Sequence, residues 1–597
     1  MKQWITRIYT QVPLWGYVLV ITISLAILAF TSSAGDSLTV DESPHIGAGY
    51  SYIVTGDYRL NPEHPPLLKL LSGASIWIGS SITGMSVNFP TNSDNWMNKV
   101  NAQWDIGYEF LFRSGNDANA LIWWARLPTI LIVLLGGVYL AYSVHYHTKN
   151  KLISIFALFL YAFSPNIIAH GRLVTTDIIA TIGFIMSIDI WIRYLTSGRS
   201  KYIGCLIGVI SFSFLAKFST ILLLPLFLVS GFGYMGIKYW GSKQLRSHIL
   251  RLIRDGIIVG LGVFIGISLV YFIAMRNMST DTQLQLIEES FPQNNTISDT
   301  TKNTLSTIVS IPGMQYFGHY LLGQAMVIQR VGGGNTTFLL GSFTNQSFTS
   351  YFPLTYILKE QLVTIVLLGS LTIISGIKII RLVYTKSFIL NKDWILTYWY
   401  EWTVIAMILL YWFISITGNL NLGIRHILPA VALTYIIIAI GVVRILIPLA
   451  FSRYLLGILI ILYGITTFNA HPFYISYLNM FAGQNQGYQI FTDSNLDWGQ
   501  DLKRLHTWTK EQNIDTLYVD YFGTGDINYY LPDITVIPIK SSDGPKIGYT
   551  AISATMFQDS FYLKQQNPDY QEYWWLKWRK PDYIIGESIL IYKNTKY

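Results

Sequence analysis

Charge is what this chain has least of. Only 12% of its 597 residues are Asp, Glu, Lys or Arg, against about a quarter in soluble globular domains. A water-soluble fold is thereby excluded for most of the length. The single cysteine, Cys205, sits in an apolar run. No intrachain disulfide is possible, and no thiol-ligated metal cluster is expected. No two histidines stand one helical turn apart, so the helical zinc signature is missing. Internal repeats and long disordered linkers are missing too. What is abundant is apolar and aromatic. Hydrophobic residues make up 51% of the chain, mean hydropathy is +0.39, and there are 18 Trp, 40 Tyr and 31 Phe. Aromatics in that number suit a protein with many membrane–water interfaces.

A spanning helix takes about 20 mostly apolar residues. The apolar runs predict about eleven spans: 14–33, 120–143, 152–169, 177–194, 203–216, 219–237, 256–275, 360–380, 402–417, 428–448 and 454–469. The first run follows Lys2 and Arg7 and looks like a signal sequence. It is longer than the usual apolar region of one, and many spans follow, so it reads as a retained first helix. Basic residues collect in alternate loops: Lys149 and Lys151; Arg193, Arg199 and Lys201; Lys238, Lys243, Arg246, Arg251 and Arg254; Arg381, Lys386 and Lys392. The positive-inside rule makes those loops, and the N-terminus, cytoplasmic. The net charge of +8 is therefore an orientation signal, and no nucleic-acid partner is expected. The opposite, extracytoplasmic side receives two long loops (34–119 and 276–359), the short loop 418–425 and the tail after Asn469. The expected organisation is a multi-pass membrane module, 1–469, and an extracytoplasmic domain, 470–597. In the tail, 495–512 reads as a helix with Leu502, Leu505 and Trp508 on one face, while 516–522 and 583–592 read as strands. That is a small α/β domain.

The first loop holds the densest chemistry. Asp41 and Glu42 lie just past the first span, followed by His45, Asp57, Arg59, Glu63, His64, Pro65, Pro66 and Lys69. A carboxylate at a bilayer edge loses solvation, which favours a general base working near neutral pH. The same acids also suit an N-cap for a helix over 43–54. The prolines stiffen a helix entry and place His64 and Lys69 near an N-terminus that attracts anions, either as a phosphate site or as a turn seating an amphipathic helix. Asp177, after His170 and Arg172, is an acid at a membrane edge. Such an acid is costly and functional by default, unless it pairs with Arg172 or Arg126. Asp189 lies nearer the cytoplasmic side and reads as structural. Arg425 and His426 reach the outer mouth of a span, where an arginine reads phosphate or anchors lipid headgroups. Lys217 is a further outward cation. Acids and cations thus converge on the non-cytoplasmic face. That pattern suits a lipid-linked phosphate approached from within the leaflet better than a transporter, whose site lies near the midplane.

These motifs resemble a known group. Asp41-Glu42 followed by His64-Pro65-Pro66-Leu67 and Lys69 is similar to the first lumenal loop of protein O-mannosyltransferases. It is also similar to that of the bacterial aminoarabinose and other undecaprenyl-phosphate-sugar transferases. All are GT-C glycosyltransferases in the family 39 neighbourhood. Ala125-Arg126-Leu127-Pro128 resembles the group's second-span arginine motif, and His170-Gly171-Arg172 through Asp177 its second acidic motif. Residues 421–429 and 493–502 resemble stretches of bacterial members, the latter with no chemistry attached.

The resemblance implies a polytopic α-helical GT-C fold with extracytoplasmic loop helices, in the plasma membrane. It also implies a glycosyltransferase that moves a sugar from a polyprenyl-phosphate donor to a protein, lipid or glycan acceptor. Asp41 becomes the base of a direct inverting displacement, with Glu42 as supporting acid and Asp177 as second acid. Arg126, Arg425, His64, Lys69 and Arg59 become the donor-phosphate cations. No cofactor is required, although Glu42 and Asp177 are able to bind a divalent metal. His64 follows the mannosyl branch, whereas the tail lacks a β-trefoil-like repeat, which weighs against protein mannosylation. The rival readings are a lipid-linked sugar carrier without chemistry, and a membrane hydrolase or metalloprotease.

Overall fold

The computed structural model describes residues 11–293, 295–385, 391–449, 452–483 and 485–595. Lys2, Arg7 and Lys386 of the charge pattern lie outside the described residues. The fold is mostly helical. Among the described residues eight helices are long and apolar enough to cross a membrane: Leu14–Ala34, Ala118–Thr148, Thr176–Ser197, Phe218–Tyr239, Leu245–Met275, Leu362–Tyr384, Trp399–Thr417 and Ile424–Leu446. Four apolar helices are shorter: Leu67–Thr83, Lys151–Ala162, Lys201–Ala216 and Tyr454–Asn469. Every run expected to span is therefore helical, but three of them fall in the shorter set. The run 152–169 is cut in two because Ser164 caps a new helix, Pro165–His170, with proline at its first position.

Burial sorts the helices. Thr176–Ser197 and Ile424–Leu446 are central, each 83% buried along its most apolar stretch, whereas Leu14–Ala34, Leu245–Met275 and Leu362–Tyr384 are only 22% buried and present apolar faces outward. At one end of the central helices, Asp189 pairs with His147 and Arg193 at 2.6 and 2.8 Å, as expected of a structural acid.

In the first loop two longer helices, Glu42–Val54 and Leu67–Thr83, cross at glycines, and three short ones follow, Asp94–Asn98, Gln103–Tyr108 and Glu109–Arg113. A Cβ on Gly49 would collide with the Lys69 carbonyl, and one on Gly73 with the Gly49 carbonyl, so the backbones touch directly. Gly47 sits against Gly107 in the same way, its Cβ position 2.8 Å from the Gly107 Cα. The second loop contributes the helices Thr280–Ser290, Thr296–Ser310 and Gln315–Gly333, then a short hairpin, β1 (Thr337–Leu339) and β2 (Ser342–Thr344).

After the last apolar helix comes a five-stranded sheet: β3 (Thr516–Asp520), β4 (Thr535–Pro538), β5 (Gly548–Ser553), β6 (Tyr583–Ile585) and β7 (Ile589–Asn594). Its order is β4-β3-β5-β7-β6, with β4, β3 and β5 parallel and β7 antiparallel to both β5 and β6. The stretch 583–592, expected as one strand, turns back on itself because Gly586 and Glu587 both take positive φ. The helix expected over 495–512 begins only at Leu502. Residues 496–501 form turns and bends instead, and their carbonyls pair with the chain before Asp41. Ser37 N–H donates to the Gln500 carbonyl at 2.9 Å and Val40 N–H to the Trp498 carbonyl at 3.0 Å.

Candidate active site

A cavity of about 670 Å³ opens where the first loop, the second loop and the Thr176 and Ile424 ends of the central helices meet. Four charged groups line one wall in alternating sign. Asp41 takes an Arg425 Nη1–H at 2.5 Å; Arg425 lies 3.8 Å from Asp177; Asp177 takes a Lys217 proton at 2.6 Å. Asp41 begins the helix Glu42–Val54, yet its side chain makes no capping bond. It turns to the cavity instead. Asp177 opens the helix Thr176–Ser197 and is buried. Lys217 sits in the extended link between Lys201–Ala216 and the next helix. Facing this wall, Arg330 of the second loop pairs with Glu63 at 3.3 Å.

Three imidazoles complete the lining: His45, His64 and His426. His45 is one turn past Asp41, and its ring centroid is 5.0 Å from that of His64. Burial first, then the positive field of Lys69, pushes His45 down to about 4. Burial, with His45 and Lys69 adding to it, holds His64 well below the usual histidine range. Both are neutral at pH 7, so His64 offers the cavity an N–H or a lone pair and not the cationic charge expected of it. The Nδ1 of His45 is buried without a partner.

Four expected site residues are not in the cavity. Glu42 points into the core, where Arg126 grips it with two bonds, 2.8 and 2.6 Å. Thr39 donates to it twice, at 3.1 and 3.0 Å, and Val174 N–H once, at 3.0 Å. Burial alone would raise its proton affinity, but Arg126 and these donors hold it below the usual carboxylate range. With every lone pair engaged, Glu42 braces the loop and is not placed to act as a second acid. Arg126 spends its remaining donors on the Ser33 and Ser37 carbonyls at 3.3 and 2.9 Å. Lys69 is fully buried, donating to the Asn61 and His64 carbonyls at 2.5 and 2.7 Å, and burial drives its pKa well down. It ties the Asn61–His64 turn from inside. Arg59 is held by Asp57 at 2.6 Å and by the Trp96 carbonyl at 2.9 Å. The alternative for Asp177, a pairing with Arg172 or Arg126, is not found: Arg172 pairs with Asp36 at 2.8 Å and Arg126 with Glu42. Sequence reasoning missed Arg330, whose partner Glu63 is 267 residues away. Only its place in an outward loop pointed to it. Among the described residues no group of three or more His, Cys, Asp or Glu is arranged to hold a metal ion.

In chemical terms the cavity offers solvent-accessible carboxylates, Asp41 on the charged wall and Glu63 and Glu289 elsewhere in the lining, with three cations and neutral imidazoles. It can bind a phosphate and take a proton beside it.

Comparison with known proteins gives one family match and two distant structural likenesses. No curated protein matches the chain. Two solved structures of ArnT from Cupriavidus metallidurans align along nearly the whole length. The apo form shows 11% identity over 96% of this chain and 97% of that one, with a TM-score of 0.31. The form bound to undecaprenyl phosphate shows 12% identity over 92% and 95%, with a TM-score of 0.30. Neither likeness is close enough to carry weight. Residues 118–273, which include Arg126, Asp177 and Lys217, match the family model described as dolichyl-phosphate-mannose-protein mannosyltransferase. Over those residues, about a quarter of the chain, the protein is similar to this mannosyltransferase family, and eight helices among the described residues are long and apolar enough to cross a membrane.

Proposed function

We propose that this chain transfers a sugar from a polyprenyl-phosphate donor to an acceptor hydroxyl on the non-cytoplasmic side of the membrane, with Asp41 as base. The observation that carries the reading is the run Asp41–Arg425–Asp177–Lys217 along one cavity wall. Asp41 is the acid of this run that keeps solvent access, its side chain 25% exposed against 2% for Asp177. Asp177 holds Arg425 and Lys217 in place. Arg425, Lys217 and Arg330 provide the positive field for a donor phosphate. Phosphate binding draws Arg425 toward the donor and loosens its grip on Asp41. The carboxylate then takes the acceptor O–H proton, and the acceptor oxygen attacks the anomeric carbon. The bond from that carbon to the phosphate oxygen breaks. Polyprenyl phosphate leaves with the electron pair, its charge held by the cations. One displacement inverts the anomeric carbon. Positioning of the two substrates supplies much of the rate.

An apolar cavity of about 560 Å³ between Thr176–Ser197, Lys201–Ala216, Leu223–Tyr239 and Leu245–Met275 suits a prenyl tail. The orientation follows from charge. Lys149, Arg193, Arg199, Lys238 and Arg381 lie at or beside helix ends on the side that the positive-inside rule makes cytoplasmic, leaving cavity and tail outside.

The test uses purified full-length protein, a panel of labelled polyprenyl-phosphate hexoses and pentoses, and cell-envelope fractions as acceptors. Wild-type protein should release polyprenyl phosphate and inverted product. Asp41→Asn should lose about 10²- to 10⁴-fold in rate while melting normally. Normal transfer by that variant would remove Asp41 from the base role. Movement of intact donor across vesicles without loss of its sugar would favour the carrier reading.

A further inference from the structure

Residues 493–502 stand out in the sequence and carry no part of the mechanism above. In the fold they connect its two halves. On one side their backbone pairs with the chain that leads into Asp41. Besides the Ser37–Gln500 and Val40–Trp498 bonds, the Ser37 hydroxyl donates to the Gly499 carbonyl at 2.8 Å and accepts the Leu502 N–H at 3.1 Å. On the other side their side chains hold the loop bearing Arg425. The Ser494 hydroxyl accepts the Arg425 Nε–H at 3.2 Å and donates to the Leu422 carbonyl at 2.9 Å. The Asn495 side chain accepts the Ile424 N–H at 2.9 Å and donates to the Tyr351 hydroxyl at 3.0 Å. The Trp498 indole, 1% exposed, lies under the Arg425 guanidinium at 4.3 Å. The loop approaches so closely that Gly423, at φ +89°, leaves the Ser494 hydroxyl 2.7 Å from where a Cβ would stand.

None of Ser494, Asn495 or Trp498 lines the cavity. Whatever they do for the reaction passes through Arg425 and Asp41. An arginine beside two carboxylates has several places to go. A ring beneath its plane and acceptors at Nε, the Ser494 hydroxyl and the Leu422 carbonyl, leave the Nη groups, of which Nη1 reaches Asp41 and Asp177 at the cavity wall. We propose that Trp498 and Ser494 are positioning residues that fix the Arg425 guanidinium between Asp41 and the donor phosphate, making the tail after the last apolar helix an integral part of the transferase site. The inference rests on the reading of Arg425 as the phosphate cation.

The experiment is a double-mutant cycle in the full-length enzyme, with polyprenyl phosphate released from a labelled donor as the readout. Trp498→Leu should lower the transfer rate about tenfold, the scale of a desolvated cation–π contact. Trp498→Phe, which keeps a ring, should recover most of it. In an Arg425→Lys background Trp498→Leu should cost less than about threefold, because the planar cation it supports is gone. Overturning results are a full tenfold loss in that background, or a Trp498→Phe as poor as Trp498→Leu; either makes the tryptophan mere packing. Arg425→Lys at the wild-type rate would instead sink the phosphate-cation reading itself. Arg425→Lys impaired, with Trp498→Leu at the wild-type rate, would sink this inference alone. Should Trp498→Leu fail to fold, Ser494→Ala takes its place. It removes one hydrogen bond to Arg425 and should cost about threefold to tenfold in rate, less in the Arg425→Lys background. A wild-type rate for it would overturn the proposal.

Discussion

Successive residues at a helix start point about 100° apart, and that angle separates the functions of Asp41 and Glu42. Asp41 faces the cavity and Arg425, while Glu42 faces inward and Arg126. A carboxylate with a solvent path can exchange a proton with an acceptor. One with every lone pair engaged in the core cannot do so without breaking the loop. Loss of charge should therefore have opposite signatures at the two positions. Glu42→Gln leaves the Arg126 guanidinium buried without its counter-charge, a loss on the order of 3–5 kcal/mol. The melting temperature in detergent should fall by many degrees, and activity should fall with it. Asp41→Asn should melt close to wild type and be inactive. A Glu42→Gln that melts like wild type yet cannot transfer would return Glu42 to the chemistry.

The two longer helices of the first loop meet at Gly49 and Gly73 with backbone against backbone. A methyl group at Gly73 meets the Gly49 carbonyl, which has no side chain to swing aside. Gly73→Ala should thus cost about 1–3 kcal/mol through overpacking, lowering the melting temperature and the transfer rate together. Gly204→Ala, in a helix with open space around the same position, should be neutral or slightly stabilising. Equal melting temperatures for the two variants would show that the helices are free to part. Both longer first-loop helices are readable from their apolar spacing, and a helix expected over 43–54 is found at Glu42–Val54. Their crossing is not readable, because a glycine in a helix looks like a weakness until its neighbour is known. The same blindness affects the charges. Lys69, Arg59 and Arg126 look like Arg425 in sequence, and only burial tells a brace from a cavity wall. The delayed helix start at Leu502 has a similar cause, since the partner of 496–501 is the chain before Asp41, more than four hundred residues earlier.

At the scale of the whole molecule, the cavity is assembled from pieces far apart in the chain. Asp41 and His64 come from the first loop, Asp177 and Lys217 from the helix ends near the middle, Arg330 from the second loop, and Arg425 from the short loop before a central helix. Only a common side of the membrane makes that assembly possible, so the whole mechanism depends on orientation. Orientation is testable without any knowledge of the substrate. Cys205 is the single native cysteine, and its replacement by serine clears the background for labelling. Thr535→Cys, on the exposed edge strand β4, should react with a membrane-impermeant maleimide in right-side-out vesicles. Ser197→Cys, at an exposed helix end beside Arg199, should react only after permeabilisation. Lys149, Arg193, Arg199, Lys238 and Arg381 share the Ser197 side, which the positive-inside rule makes cytoplasmic. The reverse labelling pattern would turn the cavity toward the cytoplasm. The acceptors would then have to be cytoplasmic molecules, and a donor displayed on the outer leaflet would be excluded.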